Sequence, residues 1–160
     1  MSQAVATPTS STSPASLTGL LVPLADRTLL LPNVVVAELI PYRTPQVTAG
    51  MPVWFLGQVA WRDLRLPLLS FEAASSGEPL AANAGARVAV INAAGGRPHV
   101  KFMALLVQGI PRSLKVGAEL VRADAPLAPL ELQAVNLDGE LLKIPDLVGL
   151  EQLLADAGLI

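Results

Sequence analysis

Apolar residues along the chain come in short runs, each broken by a proline, a glycine or a charged pair. This is the pattern of many short strands joined by tight connections. Leu20–Leu24 and Thr28–Leu31 flank Ala25-Asp26-Arg27 as a first hairpin. Val34–Ile40, rich in β-branched residues, reads as a strand closed by Pro41, and Pro45–Pro52 as a loop. Val53–Trp61, interrupted by Gly57, and Leu64–Phe71 form a second hairpin around the polar tip Arg62-Asp63. Glu72–Ala86, rich in Ala, Gly, Ser and Asn, reads as a longer loop. Arg87–Asn92 and His99–Ile110 are strands on either side of a Gly95-Gly96 turn. Ser113–Pro129 reads as irregular. Leu132–Leu137 and Glu140–Ile144 flank Asp138-Gly139, which accepts the positive φ of a type I′ turn. Pro145 opens a helix with Leu147, Leu150, Leu153 and Leu154 on one face and Gly158 past its last turn.

The order of events repeats. In the first half, strand, turn and strand lead to Ile40-Pro41, and a hairpin follows that ends in Pro67-Leu68-Leu69. In the second, strand, Gly-Gly turn and strand lead to Ile110-Pro111, and a hairpin follows that ends in Ile144-Pro145-Asp146-Leu147. The expectation is two similar small β-barrels with a cleft between them, since a lone hairpin is unstable in water. A chain of 160 residues suits one domain. Met1–Ser16 carry no charged side chain and little to bury, so they are expected to be a disordered tail before a folded region at 17–160. Hydrophobic residues are 52% of the chain and aromatics only 4%, so the core must be aliphatic.

Charge and chemistry narrow the function. Met1–Lys115 carry a net +4 and Val116–Ile160 a net −6. With three lysines in all and scattered arginines, no phosphate-binding face is expected. No apolar run reaches the roughly 20 residues that span a bilayer, and the N-terminus lacks the features of a secretory signal. No cysteine is present, which fits a reducing compartment and removes thiolate metal sites and Cys nucleophiles. The single histidine, His99, has no partners at triad or metal spacing, so a structural or surface role is expected. Gly95-Gly96 lacks the following Lys-Ser/Thr of a phosphate loop. The acidic residues are too dispersed for a calcium loop; Asp146 suits a helix start, and Asp138 and Glu140 flank a turn. The leucines of the last helix are expected to pack on their own domain. The expectation is a non-enzyme with no metal or cofactor.

Gly57-Gln58-Val59-Ala60-Trp61-Arg62-Asp63-Leu64-Arg65-Leu66-Pro67-Leu68-Leu69 resembles the signature hairpin of CheW-like domains. Leu31-Pro32 followed by Val36-Ala37-Glu38-Leu39 is similar to that family's Leu-Pro and Val-x-Glu-Ile segment. Arg87–Ile91, Phe102–Ile110, Leu137-Asp138-Gly139 and the Leu-rich end complete the set, so the resemblance covers about 17–155. Trp61-Arg62, Ser70-Phe71-Glu72 and Gln108-Gly109-Ile110-Pro111 look most like the ChpC branch, associated with type IV pilus chemosensory systems and twitching motility.

The resemblance implies a mainly β fold: two packed five-stranded SH3-like β-barrels with a short C-terminal helix. It implies a cytoplasmic, non-catalytic adaptor that binds the regulatory domain of a CheA-type histidine kinase and the cytoplasmic tip of a chemoreceptor. Carried over position by position, the partner-binding residues are Val36, Glu38, Gly57 and Arg62. Val36 and Glu38 would lie near the groove, Gly57 would permit close backbone approach, and Arg62 would project from the hairpin tip. Each of the first three also has a plain structural reading: core for Val36, a β-bulge for Gly57, a solvated surface for Glu38. Arg62, at a tight tip, is hard to explain by packing. Asp63 stands where the family has Gly, Gln108 where many members have Asp, and Ser70 and Glu72 where Asp and Arg are common. A β-barrel scaffold in another two-component or pilus assembly, or a cleft-binding enzyme, is the alternative.

Overall fold

Three consecutive leucines, Leu29, Leu30 and Leu31, are all buried, so the strand that holds them is covered on both faces. That strand is β2 (Thr28–Pro32), paired antiparallel with β1 (Leu17–Pro23). The computed structural model describes residues 17–46, 49–79, 81–117 and 120–160. The tail expected at 1–16 lies outside them. After a single turn of 3-10 helix at Asn33–Val35 come β3 (Val36–Pro41), β4 (Phe55–Trp61), β5 (Leu64–Leu69) and a short helix α1 (Phe71–Ser76). Then follow β6 (Arg87–Asn92), β7 (Phe102–Val107), β8 (Arg112–Val116), the two-residue β9 (Val121–Arg122), β10 (Glu131–Leu137), β11 (Glu140–Pro145) and helix α2 (Leu147–Asp156).

Two sheets result. The first runs β9-β10-β11-β2-β1-β8 and the second β3-β6-β7-β5-β4. The mainly β architecture with a terminal helix agrees with expectation; among the described residues the strands number six and five, and hydrogen bonding leaves both sheets open instead of closing them as barrels. Three local expectations fail. The supposed loop after Phe71 begins with α1, which Ser70 caps through a bond from the Ala73 N–H (3.1 Å) and Gly77 ends at φ +80°. The supposedly irregular Ser113–Pro129 contains most of β8 and all of β9, edge strands whose pairing is supplied by β1 and β10. Pro145 closes β11 and does not open the helix; Asp146 caps α2 by accepting from the Gly149 N–H (2.9 Å).

The repeat is real, and its halves are interleaved. Each half supplies a hairpin, a lone strand and a second hairpin. The first hairpin of each half joins the sheet built by the other half: β1–β2 sits beside β8 and β11, and β6–β7 beside β3 and β5. The joins are equivalent, including one parallel pair in each sheet, Leu29 with Lys143 and Leu68 with Ala104. Register agrees at the residue level. β4 has a bulge between Phe55 and Gly57, and β10 has one between Glu131 and Gln133 at the equivalent place. Both following hairpins turn on two residues of positive φ, Arg62-Asp63 and Asp138-Gly139. Both are followed by an N-cap, Ser70 and Asp146.

Alternation along the strands sorts the core into three clusters. Met103, Leu105 and Val107 of β7 join Val22, Leu29 and Leu31 from the other sheet, with Leu150 and Leu154 of α2, in a cluster shared by both sheets. The alternate residues Ala104 and Leu106 face a second cluster with Val59, Leu66 and Val88. Leu21, Leu30, Val135, Leu137 and Leu142 form the third, on the first sheet alone. The α2 leucines therefore pack on their own domain, and the shared cluster joins the two sheets.

Candidate functional site

The carboxylate of Glu38 is the organising group. It projects from β3, one edge of the second sheet, and reaches the end of β4, the opposite edge. Glu38 Oε1 accepts from the indole N–H of Trp61 at 2.9 Å and from the Arg62 guanidinium at 3.1 Å. The open sheet is therefore spanned across its gap by side chains. The Arg62 guanidinium also lies 4.7 Å from the centroid of the Trp61 ring, a cation–π distance. Trp61 in turn meets Phe102 edge-to-face, with centroids 4.8 Å apart.

Exposure separates support from recognition. Trp61 is 7% exposed, whereas the Arg62 side chain is 71% exposed and that of Glu38 40%. A buried ring thus holds an ion pair on the surface. Ion pairs this exposed contribute little to stability; the stabilising part of the arrangement is the acceptor that Glu38 gives the Trp61 indole. The tip itself is strained, because Arg62 and Asp63 both take positive φ, +45° and +62°. Asp tolerates this better than most residues, so the turn survives without the glycine.

The four candidates of the sequence do not form one cluster. Glu38 and Arg62 do. Val36 does not, because a bulge lies between Val36 and Glu38. In a regular strand, residues two apart share a face; here Val36 turns to the cluster shared by both sheets, and Glu38 to the hairpin tip. Gly57 sits apart as well, with φ +133°. A Cβ there would fall 2.5 Å from the carbonyl oxygen of Gln46. The chain's own Gln46 occupies this approach, exchanging backbone bonds of 3.0 and 3.1 Å with Gln58. Gly57→Ala is accordingly expected to cost roughly 1–3 kcal/mol, the scale of a strained backbone site, read as a lower urea midpoint. An unchanged midpoint would mean that the Gln46 strand yields without penalty.

Phe102 was missed as a member of the site, whereas the sequence marks Trp61 as core or groove-lining. The signal for Trp61 was the need of a buried indole N–H for an acceptor; nothing local names that acceptor as Glu38. The second half carries a related pair with the charges reversed: Arg112 of β8 lies 3.3 Å from Glu140, beside the other hairpin tip.

A second polar cluster lies inside. Glu131, its side chain 2% exposed, accepts from Arg27 (2.9 Å), Lys143 (2.6 Å) and the Ala128 N–H (2.9 Å). Arg27 also donates to Ser75 of α1 (3.0 Å) and lies 5.4 Å from the Phe71 ring centroid. Its bond to Asp26 holds that carboxyl below its ordinary pKa. Gln108 is buried too, accepting from the Asn83 N–H at 3.0 Å. Arg27 and Glu131 join the β1–β2 turn to β10 and α1, and Gln108 holds the segment at Ala81 and Asn83. Among the described residues no group of three or more His, Asp or Glu could hold a metal ion. No helix there is long and apolar enough to cross a membrane.

Comparison with known proteins agrees with this architecture. The family model of the CheW-like domain matches residues 18–154. The crystal structure of the scaffolding protein TtCheW from Thermoanaerobacter tengcongensis superposes with a TM-score of 0.68 at 12% identity, covering 86% of this chain and 89% of that one. No curated protein matches significantly in sequence. With the family model spanning nearly all of the described residues, the chain belongs to the CheW-like domain family.

Proposed function

We propose that this protein is a cytoplasmic, non-catalytic chemosensory adaptor that couples a methyl-accepting chemoreceptor to the regulatory domain of a CheA-type histidine kinase. The observation that carries the reading is the exposed Glu38–Arg62 pair, held on the buried Trp61 ring at a hairpin tip. A preorganised guanidinium of this kind suits bidentate pairing with a carboxylate of a partner and loses little freedom on binding. Glu38 keeps the guanidinium in place until a partner competes for it. The tip offers hydrogen-bond donors and acceptors to a protein surface and no nucleophile paired with a base. Membership of the CheW-like family supports the adaptor role. The wording of the Trp61-Arg62 tip and of Gln108-Gly109-Ile110-Pro111 supports placing it in the branch that serves type IV pilus systems and twitching motility.

The test is a calorimetric titration against the CheA-type regulatory domain encoded in the same genome. Arg62→Ala is expected to weaken binding at least tenfold, about 1.4 kcal/mol, with an unchanged circular dichroism spectrum. Equal binding by the variant would remove Arg62 from the site, and no binding by either protein would remove the kinase as partner. In a strain lacking the gene, the Arg62→Ala copy is expected not to restore twitching. Restored twitching would argue against a role for Arg62, and normal twitching in the strain lacking the gene would argue against the pilus assignment.

A further inference from the structure

A second surface lies beyond the hairpin tip. β5, the loop before β7 and the residues after α2 enclose a cleft of about 380 Å³. Its apolar lining includes Leu66, Val100, Phe102, Leu159 and Ile160. Every charged side chain lining it is a base: Arg65 and Lys101, with the imidazole of His99 beside them. Among the described residues no acidic side chain lines it. Arg27, Arg62, Arg97, Arg112 and Lys143, by contrast, each sit on an acidic side chain. Arg65 donates to the neutral amide oxygen of Gln46, which leaves its charge uncompensated.

The loop that forms one wall is rigidly held. Glu151 of α2, its side chain fully buried, accepts from Arg97 and from the N–H groups of Ala94 and Gly95. Val100 and Ala93 close the same loop with backbone bonds to Arg97 and Lys101. A preformed apolar cleft under an unneutralised basic rim is complementary to one chemistry, an apolar anchor flanked by carboxylates.

We propose that this cleft docks an acidic peptide segment of a partner protein, with a leucine or aromatic side chain in the cleft and carboxylates on Arg65 and Lys101. The surface is separate from the Glu38–Arg62 pair, although Phe102 touches both. The segment Met1–Ser16 carries no charged side chain and does not match this chemistry.

The probe is fluorescein-labelled Glu-Asp-Leu-Asp-Phe-Glu-Asp, with the amide isostere Gln-Asn-Leu-Asn-Phe-Gln-Asn as control. Anisotropy is expected to show saturable binding of the acidic peptide, at least tenfold tighter than the control and weakening as salt rises. The double variant Arg65→Glu/Lys101→Glu, at exposed positions, is expected to keep the thermal midpoint and lose at least tenfold in affinity. Independently of any variant, the amide resonances of Val100, Phe102 and Ile160 are expected to shift on titration. Equal affinity for the two peptides, or for the double variant and wild type, overturns the proposal, as do shifts confined to another face. Self-association in sedimentation that Arg65→Glu/Lys101→Glu abolishes also overturns it, and assigns the cleft to the acidic C-terminal third of a second copy. The kinase titration reads the hairpin tip, so either proposal can fail without the other.

Discussion

Glu131→Ala is expected to lower folding stability by about 3–5 kcal/mol, the usual cost of removing one member of a buried ion pair. That is a large share of the roughly 5–15 kcal/mol that holds a domain together. The magnitude follows from what remains behind. Arg27 and Lys143, with side chains 12% and 13% exposed, both pair with this one carboxylate. Alanine would remove the anion that both cations face, leaving Lys143 the Pro126 carbonyl alone, and the Ala128 N–H would lose its partner. Arg27 would keep Asp26 and Ser75, which limits the loss on its side. The measurement is the urea midpoint of the variant at constant m-value. Added salt should restore little, because screening acts weakly on a buried pair. Replacing Glu131, Arg27 and Lys143 together by leucine, leucine and methionine is expected to recover much of the loss. A drop for Glu131→Ala below about 1 kcal/mol would mean that water solvates the two cations as well as the carboxylate does.

Glu151→Ala is expected to be of similar size, about 3–5 kcal/mol, with a different local signature. This carboxylate is fully buried on α2 and bonds Arg97 at 2.6 Å, Gly95 N–H at 3.0 Å and Ala94 N–H at 3.2 Å. Its loss frees the Gly95-Gly96 turn from the helix. Amide hydrogen exchange should therefore accelerate in residues 93–101 and in α2 before the rest of the molecule. Glu151→Gln keeps an acceptor oxygen and should recover part of the stability. Uniform acceleration across both sheets would show instead that the turn and the helix have no opening of their own. The two arginines occupy related positions, Arg27 in the β1–β2 turn and Arg97 in the β6–β7 turn. Each arginine reaches the helix that follows its own half's second hairpin, at Ser75 and Glu151.

The hairpins were legible because their signals are local. Polar pairs between apolar runs located the Arg62-Asp63 and Asp138-Gly139 tips, and both turn on positive φ. α1 was legible and misread: Ser70 and Gly77 bracket it as cap and stop, but Phe71-Glu72-Ala73 continues an apolar run and looks like the end of a strand. β8 carries Arg-Ser-Leu-Lys at its start and is a strand only because β1 pairs with it. Propensity says little about such an edge. Glu38 and Arg62 came from resemblance and do meet, whereas the separation of Val36 from them depends on one extra residue in β3, which no periodicity shows. The acceptor for Trp61 depends on two opposite sheet edges meeting, a long-range fact.

The exchange of hairpins between halves governs how the chain can be made. As it leaves the ribosome, the β1–β2 hairpin must wait for β8 and β11, its neighbours in the finished sheet. The parallel contact of Leu29 with Lys143 closes a loop of most of the chain's length. Loop closure on this scale comes before the contacts that reward it, which makes folding slow and leaves strand edges open meanwhile. The β3–β7 segment, by contrast, holds every strand of its own sheet in one continuous stretch. That central sheet can form during synthesis, while the outer one assembles only after the last strand has emerged. Chaperone demand should fall on the waiting N-terminal hairpin, and a permuted chain that begins at β8 and ends at β7, its old ends joined by a linker, should fold faster because it brings β8–β11 and β1–β2 into sequence order.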